Sequence, residues 1–176
     1  MERPTFFKHI RHMFPGGRMT PDQVQGVSNI LDEWNVRKLR NPWWLAYMLA
    51  TVFHETGYKM QPITEFGNQT YLKHKPYYPW IGRGLIQITW EANYKKFGIE
   101  KPEDALTWPV ALRVMFDGMI KGMFTGKGLN DYFHHLPNDG PPARRIINGM
   151  DKAYQIWSYA VQFKAALDAA HFTGEA

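Results

Sequence analysis

Two glutamates, ten positions apart, have the spacing and surroundings for acid–base chemistry. Glu55 follows the apolar run WWLAYMLATVF, and Glu65 comes after Gly57 and Pro62 in a segment with the composition of a loop or short strand. Two carboxyl groups in different surroundings, facing one substrate, are the minimum requirement for hydrolysing a glycosidic bond. In a chain with 16 acidic residues, such a pair is more often solvated surface. The pair alone therefore suggests a chemistry without establishing it.

A helix is predicted to present the first of these carboxyl groups. It runs from Pro42 to about Thr56, which puts Glu55 in its last turn. The negative end of the helix dipole and the apolar neighbours both disfavour a carboxylate, so both favour the protonated group that a general acid needs. His54 precedes Glu55, but a tyrosine at position 58 breaks the HExxH pattern of zinc peptidases. We therefore expect His54 to support the site structurally, and we expect no metal.

A second polar segment, GRGLIQITWEANY, follows the two glutamates. The GRG sequence at 82–84 predicts a flexible turn where the backbone can approach a ligand. In LIQIT, Gln87 and Thr89 lie on one face of an alternating run, and Thr89 can cap a short helix that carries Asn93. Amide, hydroxyl and aromatic groups near two carboxyls suit a sugar chain. The structural alternative is a strand, turn and helix whose polar residues only cap and turn.

Aromatic residues are concentrated just before that turn. Tyr77, Tyr78 and Trp80 could stack on sugar rings or could merely cover a loop, and the sequence leaves both interpretations open. We take Tyr78 and Trp80 as candidate substrate-binding residues.

Several motifs together resemble one known family. HETG, the following Glu65, GRGLIQITWEANY and the downstream RRIINGM occur in the order found in family 19 glycoside hydrolases, the chitinase-like enzymes that include many bacteriophage endolysins. Several motifs in the right order are more specific than any one of them. The chain departs from the family pattern in two places. Pro79-Trp80-Ile81 separates the tyrosines from the GRG turn, and Met150 replaces the second glycine of the usual INGG.

The resemblance implies a role for each matched residue. Glu55 corresponds to the general acid, Glu65 to the general base, and Thr89 to the hydroxyl that helps hold the attacking water. The residues implied to bind the sugar are Gln87, Asn93 and Asn148. Arg83 is expected to hold the cleft together by pairing with a carboxylate, with the two glutamates as candidates. The implied mechanism inverts the anomeric centre, keeps the carboxyls ~6.5–9.5 Å apart and uses no cofactor.

The implied fold is lysozyme-like: mainly α (α+β), with a small β/loop lobe flanking the active-site cleft. Apolar periodicity agrees with mostly helical structure, since a helix is predicted to start at Thr20-Pro21 and a long one to span Lys152 to His171. We expect one catalytic domain over 1–176, with no separate wall-binding module.

Composition narrows the classes of partner. The longest apolar run, Trp43 to Phe53, is shorter than the ~20 residues of a membrane span, and the N-terminus lacks the apolar core of a signal peptide. The absence of cysteine fits a reducing cytoplasm. A net charge of +5 would attract anionic polymers such as bacterial wall material. The basic residues are scattered and match no DNA-binding motif, so we expect no specific nucleic acid.

The leading hypothesis is an endolysin that hydrolyses the glycan strands of peptidoglycan for host cell lysis. We expect a monomer made in the host cytoplasm without a signal peptide, which acts on the periplasmic wall after holin-type release. Two alternatives stay open: a chitinase that hydrolyses poly-GlcNAc, and a wall-glycan-binding protein without catalysis. The presence of both glutamates argues against the binding protein.

Overall fold

Helices form most of the structure and flank one small β-sheet. The computed structural model describes residues 1–134 and 140–172. Within these residues the α-helices are α1 (Arg3–Ile10), α2 (Pro21–Val36), α3 (Pro42–Glu55), α4 (Gln69–Lys73), α5 (Glu91–Lys96), α6 (Trp108–Lys121) and α7 (Ala153–Ala169). Short 3-10 helices span Arg11–Met13, Pro15–Gly17, Pro102–Leu106, Leu129–Asp131 and Pro141–Ile146. The strands are β1 (Ile63–Thr64) and β2 (Arg83–Gly84). The prediction of a mainly helical fold with a small β part is confirmed.

Helix α3 is the central element, because it is buried on every side. Asn41 caps it by accepting a hydrogen bond from the backbone N–H of Trp43, and Pro42 occupies the first turn, where an N–H has no helical partner. Every residue from Leu45 to Phe53 is buried. A helix that is apolar all round is stable only when surrounded by other elements. Its polar end, His54-Glu55, therefore emerges from the core at a fixed place.

Helix α7 supplies the largest surface against which α3 packs. Trp43 and Trp157 stack with their ring centroids 5.0 Å apart, and Phe53 meets Phe163 edge to face at 5.8 Å. These contacts at both ends of α3 fix its direction relative to α7. The predicted start of α2 is also confirmed, since Thr20 and Gln23 form a reciprocal capping box.

The small sheet places the second glutamate and the polar segment side by side. Strand β1 pairs antiparallel with β2, with Ile63 opposite Gly84 and Thr64 opposite Arg83. After β2 the chain turns back at once, and Arg83 and Ile88 exchange backbone hydrogen bonds of 3.0 and 3.1 Å. The run LIQIT is thus a tight turn rather than a strand. Ile86 and Ile88 are nevertheless buried while Gln87 and Thr89 are half-buried, so the predicted separation of faces holds.

One local prediction about this segment is wrong. Thr89 does not cap α5; the N-cap is Trp90, whose side chain makes no capping hydrogen bond. The Thr89 hydroxyl instead donates to the backbone oxygen of Gln87 at 2.9 Å. Thr89 forms this hydrogen bond instead of a helix cap because the turn brings the backbone oxygen of Gln87 within reach of its hydroxyl.

No helix in the described ranges is both long enough and apolar enough to cross a membrane.

Candidate active site

Glu55 lies at the end of α3 and is held by a buried arginine. The Nη1 group of Arg144 donates to Glu55 Oε1 at 2.6 Å, and the side chains are only 6% and 16% exposed for Arg144 and Glu55. Arg144 comes from the 3-10 helix Pro141–Ile146, and its Nε group also donates to the backbone oxygen of Asp151 at 3.2 Å. The guanidinium is therefore fixed at two points, and the carboxyl group is fixed with it.

This ion pair changes the expected electrostatics of Glu55. The sequence predicts only influences that favour the neutral acid. Arg144 adds a positive charge in direct contact with this carboxyl group, which the apolar helix by itself does not supply. Arg144 lies in the motif RRIINGM, whose order alone gives this arginine no role. Residue types do not separate the two arginines of this motif: Arg144 is buried with Ala143 and Ile146, whereas Arg145 is exposed.

Two further polar groups of α3 lie near this pair. His54 is half-buried, and burial lowers the pKa of its imidazole below the usual 6.5, although the charge of Glu55 acts in the opposite direction. Tyr47 is fully buried, and its hydroxyl finds no hydrogen-bond partner among the described residues. Burial raises the pKa of Tyr47 well above its ordinary value. The supporting role of His54 stays a prediction.

A cavity of about 310 Å³ opens beside Glu55. Its lining combines the carboxyl group and guanidinium with amide, hydroxyl and apolar side chains. The lining residues are Glu55, Ile86, Gln87, Ile88, Thr89, Trp90, Asn93, Phe124, Arg144, Ile147 and Asn148. Five predicted site residues thus meet in one pocket: Glu55, Gln87, Thr89, Asn93 and Asn148. A few convergent polar groups in a concave site are the usual composition of a ligand pocket.

The amide side chains of this pocket are oriented by hydrogen bonds to the backbone. Gln87 donates from Nε2 to the oxygens of Ile63 at 3.0 Å and Gly84 at 3.1 Å, which ties it to both strands. Asn93 donates from Nδ2 to the oxygen of Thr89 at 2.8 Å. Gln87 therefore has both side-chain N–H groups engaged and offers its carbonyl oxygen to a ligand, whereas Asn93 offers its carbonyl oxygen and one N–H. Asn148 is the reverse case, because its Oδ1 accepts from the N–H of Gly149 at 2.8 Å and leaves Nδ2 to donate.

Glu65 follows β1 and is held by Gly82. The N–H of Gly82 donates to Glu65 Oε2 at 2.7 Å, and the N–H of Glu65 donates to the oxygen of Gly82 at 2.7 Å. A Cβ atom on Gly82 would lie 2.9 Å from Glu65 Oε2 and 3.0 Å from Gln87 Oε1. The glycine is required by this close approach. Glu65 is not among the lining residues of the Glu55 cavity, but Gln87, which is, lies beside it.

The predicted aromatic residues Tyr78 and Trp80 do not line the Glu55 cavity. Trp80 lines a separate cavity of about 350 Å³ and packs on Tyr94 at 5.2 Å, while Tyr78 is 46% exposed and lines neither cavity. The N–H of Trp80 donates to the backbone oxygen of Tyr77 at 2.7 Å, so residues 77–80 form a tight turn. This turn places the side chains of Tyr77 and Trp80 in different surroundings. Tyr77 and Trp90 occupy the site instead: the Tyr77 hydroxyl donates to Glu65 Oε1 at 3.4 Å, and Trp90 lines the Glu55 cavity.

Trp90 adopts an unusual backbone conformation. Its φ is +73° with ψ 135°, a region that large side chains rarely adopt and that costs ~1–3 kcal/mol. Gln87, in the same pocket, also has a positive φ of +54°. The positive φ angles of both residues indicate a turn whose conformation is imposed by the surrounding structure. The alternation of polar and apolar residue types in this segment does not predict either positive φ angle.

Arg83 pairs with neither of the two glutamates. Its Nη1 donates to the backbone oxygen of Pro79 at 2.8 Å, and its Nη2 lies 3.7 Å from the carboxylate of Glu103. The carboxylate partner of Arg83 is thus Glu103, and the two candidates Glu55 and Glu65 are corrected. Arg83 is buried beneath the turn. The arginine that lies beside one of the two glutamates is Arg144.

No family model matches the chain, and a search of curated proteins returned no significant match. Within the described ranges, no group of three or more histidine, aspartate or glutamate side chains is arranged to hold a metal ion. Any assignment of function thus depends on the motifs and on the geometry of this pocket.

Proposed function

We propose that this protein is an endolysin, a glycosidase of the family 19 type that hydrolyses peptidoglycan glycan strands by an inverting acid–base mechanism. The observation that carries the proposal is Glu55: a carboxyl group on a buried arginine, facing a polar pocket lined by Gln87, Thr89 and Asn93. Sugars present hydroxyl and acetamido groups, which pair with amide and hydroxyl side chains.

Glu55 acts as the general acid in this proposal. Arg144 engages its Oε1 atom, so we assign the other oxygen, Oε2, to the glycosidic oxygen of the substrate. Glu55 takes up a proton before the bond breaks and transfers it to the leaving oxygen. Arg144 then stabilises the carboxylate that remains after transfer, because its guanidinium donates a hydrogen bond to Glu55 Oε1.

Glu65, which follows β1, acts as the general base in this proposal. Its Oε2 is held by the N–H of Gly82 and its Oε1 faces the hydroxyl of Tyr77. An inverting mechanism needs a water molecule between this carboxylate and the anomeric carbon. The hydroxyl of Thr89 donates to Gln87 and leaves its lone pairs for that water.

The proposed substrate also agrees with the overall charge. Wall polymers are anionic, and the chain carries +5, so electrostatic attraction would raise the local substrate concentration. We further propose that the protein is a monomer, is made in the host cytoplasm and reaches the periplasmic wall by holin-type release.

The test compares wild type with Glu55→Gln on purified peptidoglycan sacculi and on colloidal chitin. Release of fragments with new reducing ends, identified by mass spectrometry, is the measurement. We expect wild type to cleave the sacculi and Glu55→Gln to lose turnover by roughly 10²-fold or more, because the amide cannot donate the proton. Glu100→Gln, which removes an exposed glutamate outside the Glu55 pocket, is the matched control and should match wild type.

Three other results would change the proposal. Full activity of Glu55→Gln would remove Glu55 as the acid. Cleavage of chitin but not of sacculi would make the protein a chitinase. Retained binding to sacculi with no cleavage of either polymer would identify a wall-glycan-binding protein.

A further inference from the structure

We propose that Trp90 and Tyr77 form an aromatic subsite for one ring of the glycan, and that Tyr77 connects this subsite to Glu65. The inference rests on the proposed function and deepens it. It assigns the ligand class, an N-acetylated amino sugar ring, to two residues that the motif resemblance did not select. It also makes Tyr77 a positioning residue for the general base.

Trp90 has the properties of a contact residue at the mouth of the pocket. It lines the same cavity as Glu55, and 51% of its surface is exposed. Large aromatic side chains are usually buried in a core or used to bind a partner. An indole at the rim of a polar pocket offers an apolar face beside hydrogen-bonding groups, which is the combination a sugar ring requires.

The backbone holds the indole in place at a conformational cost. The N–H of Trp90 donates to the oxygen of Trp80 at 2.9 Å, and the oxygen of Trp90 accepts from the N–H of Asn93 at 3.0 Å. The φ of +73° would suit glycine better than tryptophan. Strained residues that persist in this way cluster at ligand sites, and here the strain coincides with an exposed ring in the pocket.

Tyr77 links Trp90 to the general base. The two rings meet edge to face with centroids 5.1 Å apart, and the Tyr77 hydroxyl donates to Glu65 Oε1 at 3.4 Å. Burial raises the pKa of Tyr77, and the nearby Glu65 charge raises it further, so the hydroxyl stays a donor at neutral pH. The bond is long for an O–H donor. A sugar ring bound on Trp90 would press on Tyr77 and shorten the hydrogen bond from Tyr77 to Glu65. Catalytic hydrogen bonds often tighten in this way when substrate binds.

The experiment uses Trp90→Gly, Tyr77→Phe and the double variant, with steady-state hydrolysis of sacculi. Glycine accepts the φ of Trp90, so Trp90→Gly removes the ring without disturbing the backbone. We expect Trp90→Gly to raise KM about tenfold and also to lower kcat, because Tyr77 loses its partner. Tyr77→Phe keeps the ring and should lower kcat about tenfold with little change in KM. The double variant should have the kcat of Tyr77→Phe alone.

A direct titration makes the subsite testable without catalysis. Binding of the N-acetylglucosamine tetramer, followed by calorimetry, should weaken about tenfold in Trp90→Gly and stay unchanged in Tyr154→Ala. Tyr154 is an exposed aromatic on α7 outside the pocket and serves as the control. Circular dichroism melting confirms that each variant is folded.

Failure of the subsite and failure of the proposed function give different results. If wild type cleaves sacculi and Trp90→Gly or Tyr77→Phe has wild-type kcat and KM, the subsite is wrong and the glycosidase assignment stands. If wild type cleaves nothing, the titration decides, and equal tetramer affinity in wild type and Trp90→Gly overturns the subsite.

Discussion

At the scale of single residues, the candidate site depends on how closely Gly82 approaches two side chains. Its missing Cβ leaves room for the Glu65 carboxylate and for the Gln87 amide, and its N–H binds that carboxylate directly. Any larger residue would place a carbon within 3.0 Å of both oxygens. Gly82 therefore determines where the proposed general base lies.

Gly82→Ala is expected to lower kcat/KM by roughly 10²-fold, since a shift of about 1 Å in a catalytic group has that effect. Stability should fall by only about 1–3 kcal/mol, the usual cost of overpacking. Sacculus hydrolysis and urea unfolding measure the two effects. Gly149→Ala is the matched control, because a Cβ on Gly149 meets nothing within 4 Å. Equal activity of Gly82→Ala and Gly149→Ala would contradict the role of Gly82.

At the scale of elements, one ion pair joins the end of α3 to a helix far along the chain. Glu55 and Arg144 are 89 positions apart, and both are largely shielded from solvent. Breaking a buried pair by removing one partner is costly because the other charge is left without compensation. The pair therefore couples the packing of α3 and the 3-10 helix Pro141–Ile146 to the chemistry of the pocket.

A double-mutant cycle with Glu55→Gln and Arg144→Met tests this coupling. We expect Arg144→Met alone to destabilise the fold by about 3 kcal/mol, and the double variant to be less destabilised than the sum by about 1–3 kcal/mol. Urea denaturation of the four proteins gives the coupling free energy. If the changes in unfolding free energy of the two substitutions are additive, the contact between Glu55 and Arg144 contributes no coupling free energy.

At the scale of the whole molecule, two titrating groups predict how stability depends on pH. Burial keeps the folded-state pKa of His54 below 6.5. As the pH falls below 6.5 the unfolded chain binds this proton first, so stability declines. For Asp117, burial raises the pKa, but hydrogen bonds and charge from Arg37 outweigh it and hold the pKa below 3.8. Its contribution is present above 3.8 and is lost as the pH falls through the lower folded value.

Thermal unfolding of three proteins separates these contributions. Wild type should lose stability between about pH 7 and pH 5, and again between about pH 5 and pH 3. His54→Gln should flatten the first interval, and Asp117→Asn should flatten the second. An unchanged pH profile in His54→Gln would show that the imidazole is not held neutral by the fold.

Local features of this protein could be predicted because they depend on residues a few positions apart. The capping box at Thr20, the start of α3 at Asn41 and the buried face of α7 follow from neighbours within one or two helical turns. Glu55 at the end of an apolar helix follows in the same way. The choice of Gln87, Asn93 and Asn148 came from motif order, and the pocket brings all three together.

Tertiary structure alone decided which groups meet across long separations. Arg144 rather than Arg83 reaches a glutamate, because the packing of the 3-10 helix Pro141–Ile146 against the end of α3 directs one buried guanidinium there and the turn at Pro79 engages the other. Trp90 rather than Trp80 lines the Glu55 pocket, and both Gln87 and Trp90 have positive φ angles in the segment that follows β2. Residue types along a sequence do not specify such turns, since the surrounding fold imposes them against local preference.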